Sequence, residues 1–435
     1  MDEVLKLKVG SLAQEIFERQ HQASSFVPGT TPIPVTGKLF GPEEIAAAMT
    51  ASGDFWLTSG PFTEDFERSL AKRVGVRHAF MVNSGSSANL IAVSALTSRK
   101  LGDRRLLPGD EVITVAAGFP TTVAPIIQSG LIPVFVDVEL GTYVARMDEL
   151  EAAIGPRTKA IMMAHTLGNP FNLNKVKELA KKHSLWVIED NCDGLGGTYE
   201  DQSLGSFGDI STLSFYPAHH ITTGEGGAVL TRKVQLKPII ESFRDWGRDC
   251  WCAPGKDNTC LKRYEWQLGE LPDGYDHKYT YSHLGFNLKS GDIQAAIGVE
   301  QFKRLDLFVQ KRRSNWAYLR EGLAELEDFL LLPEPTQKSN PSWFGFAIMV
   351  KENCPISRNQ LVRQLNERGI GTRLLFAGNL IKQPAFIDSN YRVVGNLQNS
   401  DKIMHQVFWI GTWPGLSKSM LDFMITSIRE SVGIS

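Results

Sequence analysis

The chain has 435 residues, 42% hydrophobic and 22% charged, with 46 Lys and Arg against 48 Asp and Glu for a net charge of −2. That composition fits a globular protein long enough for one large and one smaller domain, and its near-neutral balance excludes a global pull toward nucleic acid or an anionic membrane. No apolar run reaches the roughly 20 residues that span a bilayer, so a cytoplasmic protein with no membrane partner is expected.

The N-terminal stretch MDEVLKLKVGSLAQEIFERQ lacks the apolar core of a signal peptide and reads as an amphipathic helix. Residues 1–40 are expected to form an arm, 41–310 a large domain and 311–435 a small α+β domain. From about residue 75 to 230 short apolar runs alternate with helical patterns. The strand candidates are HAFMVNS, DEVITVAA, IPVFVDV, AIMMAHT, LWVIED, ISTLSF and GGAVLT, with helices such as NLIAVSALTS and KVKELAKKH between them. Near-continuous apolar strands interleaved with helices predict an α/β fold, its mostly parallel sheet covered on both faces. Ligands of such sheets bind beyond the carboxyl ends of the strands, so the polar residues that follow each strand are the candidates for chemistry. Residues 245–281, rich in Gly, Pro, Asp, Trp and Cys, read as a long irregular insertion, and loops of that length are usually functional. SGDIQAAIGVEQFKRLDLFVQKRRSNWAYLREGLAELEDF follows as a long helix with a break.

Three stretches carry candidate chemistry. Asn83-Ser84-Gly85-Ser86-Ser87-Ala88-Asn89 follows the first strand and opens a helix, where small residues and free amides suit a phosphate or serve as a plain N-cap. Glu189-Asp190 closes LWVIED, and a carboxylate there can keep a pyridine nitrogen protonated or merely cap a helix. The third stretch, SFYPAHHITTGEGG from Ser214 to Gly227, resembles the active-site segment of the fold-type I sugar aminotransferases, in which S-F-x-x-x-K precedes T-x-G-E-G-G. In that pattern a lysine binds pyridoxal phosphate covalently. Here the position is His219, and no lysine occurs between residues 183 and 232.

The resemblance implies a set of site residues. Gly85 and Ser86 match the phosphate loop and Phe119 the aromatic that stacks on the pyridine ring. Asp190 matches the pyridinium partner and Ser214 a second phosphate contact. Asn287 matches the asparagine that reaches the phosphate of a neighbouring subunit, which implies a homodimer. Asp193 stands where aminotransferases carry Gln or His, and Tyr216 sits beside the lysine position.

A histidine in place of the lysine is similar to the sugar 3-dehydrases, one branch of which is metal-free and the other iron–sulfur. The five cysteines are odd in number and form no disulfide framework. Cys192, Cys250, Cys252 and Cys260, separated by 57, 1 and 7 residues, match the cluster motif of the iron–sulfur branch. Four thiolates suit either a 2Fe–2S cluster or structural zinc. Cys192 is two residues from Asp190, and that position favours a redox centre beside the ring. Cys354 is expected to be a bystander.

The activity implied is C3 deoxygenation of a nucleotide-linked 4-keto-6-deoxyhexose, with the CDP-glucose derivative as substrate. The cofactor implied is pyridoxamine 5′-phosphate, with His219 as general base; an imidazole has an unperturbed pKa of about 6.5, suited to proton transfer near neutrality. The 2Fe–2S cluster would pass electrons from an NADH-dependent iron–sulfur flavoprotein reductase. The alternatives are the same reaction on a dTDP-sugar, a metal-free dehydrase, and a catalytically inactive cofactor-binding regulator.

Overall fold

The computed structural model describes residues 1–21 and 25–433. All seven expected strands of the large sheet are present: β1 (His78–Val82), β2 (Glu111–Val115), β3 (Ile132–Val136), β4 (Thr158–Ala164), β5 (Trp186–Asp190), β6 (Ile210–Ser214) and β7 (Gly227–Thr231). They lie in the order β1-β7-β6-β5-β4-β2-β3, and the two-residue strand Arg392–Val393 joins the β3 edge. The strands from β6 to Arg392–Val393 pair in parallel, and β7 runs antiparallel to both its neighbours.

Strand periodicity divides the core into two layers. Val112, Ala160, Met162, Trp186 and Ile188 enter one cluster with the helix α2 (Gly85–Leu96). Ile113, Val115, Ile161, Met163 and Val187 enter another with the helix Leu173–His183. Each fully buried Leu, Ile or Phe of these layers contributes about 1.5–3 kcal/mol over an exposed one. Side chains at the ends of the strands follow the same alternation, so Asp190 emerges on the α2 face and Glu189 on the other. Glu189 there accepts hydrogen bonds from the Gly205 and Phe207 amides at 2.9 and 2.8 Å.

A four-stranded sheet, Leu330–Leu331, Gly345–Val350, Val407–Gly411 and Arg373–Leu374, packs with the C-terminal helices into a separate core cluster. Ile33 lies inside that cluster and bridges Ile370, so the segment after the N-terminal helix Glu3–Gln20 is clamped to the C-terminal part of the chain. The expected long helix after the insertion is two helices, Asp292–Lys303 and Leu305–Gly322, broken at Arg304. Among the described residues no helix is long and apolar enough to cross a membrane.

The helix α1 (Pro61–Val74) begins at Gly60, which has no side chain to cap it. The buried Asp292 caps it from the far side of the sequence. Its Oδ1 accepts from the Gly60 and Thr63 amides at 3.0 and 2.8 Å and from the Thr63 hydroxyl at 2.8 Å. Asp292→Ala strands those donors in the interior. It is expected to cost roughly 2–4 kcal/mol by chemical denaturation, with Asp292→Asn losing less because one oxygen acceptor remains.

Candidate functional site

At the carboxyl end of the sheet lies a cavity of about 450 Å³, lined by Gly85, Ser86, Phe119, Asp190, Cys192, Asp193, Ser214, Tyr216 and His219 together with residues of the C-terminal part of the chain. The structure thus brings together every expected site residue of the sheet's ligand end. Asn287 stands apart: it is exposed, bridges Asp245 in the backbone and does not line this cavity.

Asp190 is 5% exposed. Its Oδ2 accepts from Asn89 Nδ2 at 2.8 Å and Thr122 Oγ1 at 2.7 Å, and its Oδ1 from the Cys192 amide at 3.2 Å. Asn89 is itself oriented, because its Oδ1 accepts from Thr212 Oγ1 at 2.7 Å. Asn89 belongs to α2, Thr122 to the helix α3 (Pro120–Gln128) and Thr212 to β6, so three elements aim one carboxylate. A carboxylate has about four acceptor sites. Three are taken by these donors, and the Cys192 thiol lies against the carboxylate as well.

Gly85 opens α2, and Ser84 caps that helix by accepting from the Ser87 amide at 3.0 Å. A Cβ at Gly85 would meet Ser214 Cβ at 2.5 Å and Oγ at 2.9 Å. One at Gly227 would meet the Ser84 carbonyl oxygen at 2.4 Å. Only glycine lets β6 and β7 close on the helix start, and that closure sets the Ser214 hydroxyl against its first turn. A hydroxyl beside a helix N-terminus is suited to an anion. Phe119 is the N-cap residue of α3 and stands 48% exposed, its ring edge-on to Phe376 at 5.9 Å.

His219 sits in the loop after β6, its side chain 15% exposed. Its Nδ1 lies 3.4 Å from Asp193 Oδ1 without making a hydrogen bond, and its ring packs at 5.1 Å on Phe344. The buried Arg312 guanidinium donates to the carbonyls of His219 and Phe344 at 3.2 and 3.3 Å and so holds both backbones. His220 points elsewhere: it is 2% exposed, and its Nε2 meets the Ser342 carbonyl at 3.3 Å. Burial and then the Arg312 charge push its pKa well below the ordinary imidazole value, so it stays neutral.

The expected set of four cysteines is not assembled within the chain. Cys250, Cys252 and Cys260 line a small cleft with His277, while Cys192 lines the main cavity. The reason is local. Cys192 follows β5 directly, and its amide is tied to Asp190, whereas the other three belong to the insertion. Burial, and next the Asp190 charge, push the Cys192 thiol well above its usual range. In the insertion, burial raises the Cys252 thiol, but hydrogen bonds from Thr259 and its cysteine neighbours outweigh it and bring it down to about 7. Burial pushes the Cys250 thiol up to about 12. Cys354 packs against the C-terminal core.

Sequence reasoning missed Asn89, Thr122, Thr212, Arg312 and His277. Asn89 closed a motif already singled out, and Thr122 follows the Phe119 run, so a signal was present for both. Arg312 and Thr212 are visible only once β6 and the Leu305–Gly322 helix are packed.

The model of the DegT/DnrJ/EryC1/StrS aminotransferase family matches residues 40–429. The lipopolysaccharide biosynthesis protein RfbH of Salmonella typhimurium is 57% identical over 99% of this chain and 99% of its own. The dTDP-4-dehydro-2,6-dideoxy-D-glucose 3-dehydratase of Saccharopolyspora spinosa is 52% identical over 96% of this chain and 90% of its own. The crystal structure of the E. coli GDP-4-keto-6-deoxy-D-mannose-3-dehydratase with bound hydrated PLP superposes with a TM-score of 0.81 at 28% identity, covering 91% of this chain and 98% of that one. The expected fold-type I architecture is therefore the architecture observed, and the chain belongs to the DegT/DnrJ/EryC1/StrS aminotransferase family.

Proposed function

We propose that the protein is a pyridoxamine phosphate-dependent nucleotide-sugar 3-dehydrase that replaces the C3 hydroxyl of a 4-keto-6-deoxyhexose by hydrogen. The observation that carries this reading is His219, standing in an otherwise complete cofactor cavity at the position where the family places its lysine. The names of the relatives support it: one is a sugar 3-dehydratase at 52% identity, and the solved 3-dehydratase carries PLP.

The residues present fit the cofactor. The Asp190 carboxylate suits a pyridinium N–H, the Phe119 ring suits its aromatic face, and Gly85, Ser86 and Ser214 suit its phosphate. Bound there, the cofactor supplies an amine for the C4 ketone and an electron sink. Asp190 then holds the proton on the pyridine nitrogen. His219 moves a proton at C4′, and Asp193 Oδ1 stands 3.4 Å from its Nδ1. Arg312 and Phe344 keep the ring in place during that transfer.

Exchanging C3–OH for C3–H consumes two electrons and two protons and releases water. An iron–sulfur cluster at the insertion cysteines would deliver those electrons singly, supplied by an NADH-dependent flavoprotein reductase. The active unit is a homodimer. Its face includes Asn287 and the exposed Trp246, Tyr281 and Leu284 nearby in the chain, the last 95% exposed in the single chain. The substrate is CDP-linked 4-keto-6-deoxyglucose. A dTDP-linked sugar is the second reading, favoured by the name of the S. spinosa relative.

Two measurements check the lysine-free chemistry. Borohydride added to protein loaded with pyridoxal phosphate is expected to leave no cofactor attached to the peptide that carries residue 219; a reduced adduct on a lysine lining the cavity contradicts it. His219→Asn is expected to keep cofactor binding and to slow exchange of solvent deuterium into C4′ by a factor of about 10² to 10⁴. Unchanged exchange would assign the base elsewhere. Initial rates with CDP- and dTDP-linked 4-keto-6-deoxyglucose in competition decide between the two substrates.

A further inference from the structure

A second concavity, of about 1000 Å³, opens at the amino end of the parallel strands, where β4 and β5 begin. β5 starts in its wall at Trp186 and ends at Asp190, so about 13 Å of strand separates it from the main cavity. Five Lys and Arg side chains line it against three carboxylates, in a chain whose net charge is −2. Two of the carboxylates are already engaged. Asp209 pairs with Lys233 at 3.0 Å, and Glu178 pairs at 3.3 Å with Lys175, which does not line the cleft. Arg104, Lys159, Lys177 and Lys181 face the cleft with no ion pair among the described residues. The helix Leu173–His183 shows the contrast along its own length: Lys175 and Lys182, outside the cleft, pair with Glu151 at 3.1 and 3.5 Å.

Aromatic rings, not carboxylates, hold two of these cations. The Arg104 guanidinium lies 3.8 Å over the ring of Trp186. Trp186 Nε1 donates to the Arg104 carbonyl at 2.8 Å, so one buried indole fixes both the backbone and the side chain of Arg104. Lys177 Nζ stands 5.4 Å over the ring of Phe207. A cation held on a ring face keeps its charge and its N–H donors, where a carboxylate partner would take both. A stacked guanidinium presents its fork edge-on, the geometry that takes two phosphate oxygens at once. Lys177 and Lys181 lie one helical turn apart on the same side of their helix, and Lys159 comes from the start of β4. Uncompensated cations around one hollow repel each other and favour a multiply charged anion between them. A hollow of this size is too large for a phosphate alone and takes a diphosphate together with the nucleoside attached to it.

We propose that this cleft is a second ligand site, separate from the cofactor cavity, that binds the diphosphate of a nucleoside diphosphate. Arg104 takes a phosphate through its fork, and Lys159, Lys177 and Lys181 supply the remaining charge. The exposed outer face of the Arg104 guanidinium is open to the base. A free nucleoside diphosphate and a nucleotide-linked sugar carry the same group. The site is independent of the reaction proposed above.

The test acetylates the lysines of cofactor-loaded protein with acetic anhydride and reads each one by mass spectrometry. No lysine lines the main cavity, so a nucleotide bound there does not enter the reading. Millimolar CDP and CDP-glucose are expected to protect Lys159, Lys177 and Lys181 and to leave Lys175 and Lys182 as reactive as before. The stronger protector of the two tells a free nucleotide from a sugar-linked one. Protection is expected to weaken as salt is raised, and cytidine, which lacks the diphosphate, to protect none of the three. In the double variant Lys177→Ala/Lys181→Ala, retained binding of pyridoxal phosphate shows that the protein is folded. Protection of Lys159 in that variant is expected to need at least about 10-fold more CDP, because two charge-assisted contacts are gone. No protection by CDP or CDP-glucose overturns the site. So does equal protection of Lys175 and Lys182, protection by cytidine, or protection of Lys159 unchanged in the double variant.

Discussion

The carboxylate of Asp190 is the constraint around which the rest of the site is arranged. It closes β5, where strand alternation turns it onto the face covered by α2 and α3. A carboxylate buried this deeply would be costly without partners. Asn89, Thr122 and the Cys192 amide supply three, and Thr212 fixes the orientation of Asn89. The network ties two helices and two neighbouring strands to one oxygen pair. The start of α2, the Ser214 hydroxyl and the His219 loop, all leading out of the same elements, are therefore held in fixed relation to it. A site built this way needs no covalent bond to orient a flat aromatic ligand, which is consistent with a lysine-free cavity.

The same arrangement separates two kinds of chemistry. In the main cavity His219 and Asp193 face each other and Arg312 holds the loop, the geometry on which the proposed proton transfer rests. In the insertion the thiols are pulled apart: hydrogen bonds bring Cys252 down to about 7, while burial pushes Cys250 up to about 12. Cys192 sits in the main cavity with its thiol held protonated by burial and by Asp190.

Much of this was legible in the sequence, and the reasons differ from element to element. The seven strands were visible because strands buried on both faces are nearly continuous apolar runs. Asp190 was visible because it closes such a strand, and His219 because the stretch from Ser214 to Gly227 resembles the family's active-site segment. The two-residue strands Arg373–Leu374 and Arg392–Val393 were not visible, since their pairing is decided by distant partners rather than by their own pattern. Asn89 was read as part of a phosphate loop, and its hold on Asp190 emerges only once α2 is packed over β5. The cysteines were read by spacing alone. Spacing cannot tell that a hydrogen bond from its backbone amide to Asp190 keeps Cys192 in one cavity while His277, 17 residues beyond Cys260, enters the other group.

The central claim is that Asp190, aimed by its three donors, keeps the ring nitrogen of a noncovalently bound cofactor protonated. Nitrogen-15 NMR of protein loaded with ring-labelled pyridoxamine phosphate reads that proton directly. A protonated ring nitrogen at neutral pH in the wild type, lost in Asp190→Asn, is the predicted result. An unprotonated nitrogen in the wild type, or one that stays protonated in Asp190→Asn, would contradict it.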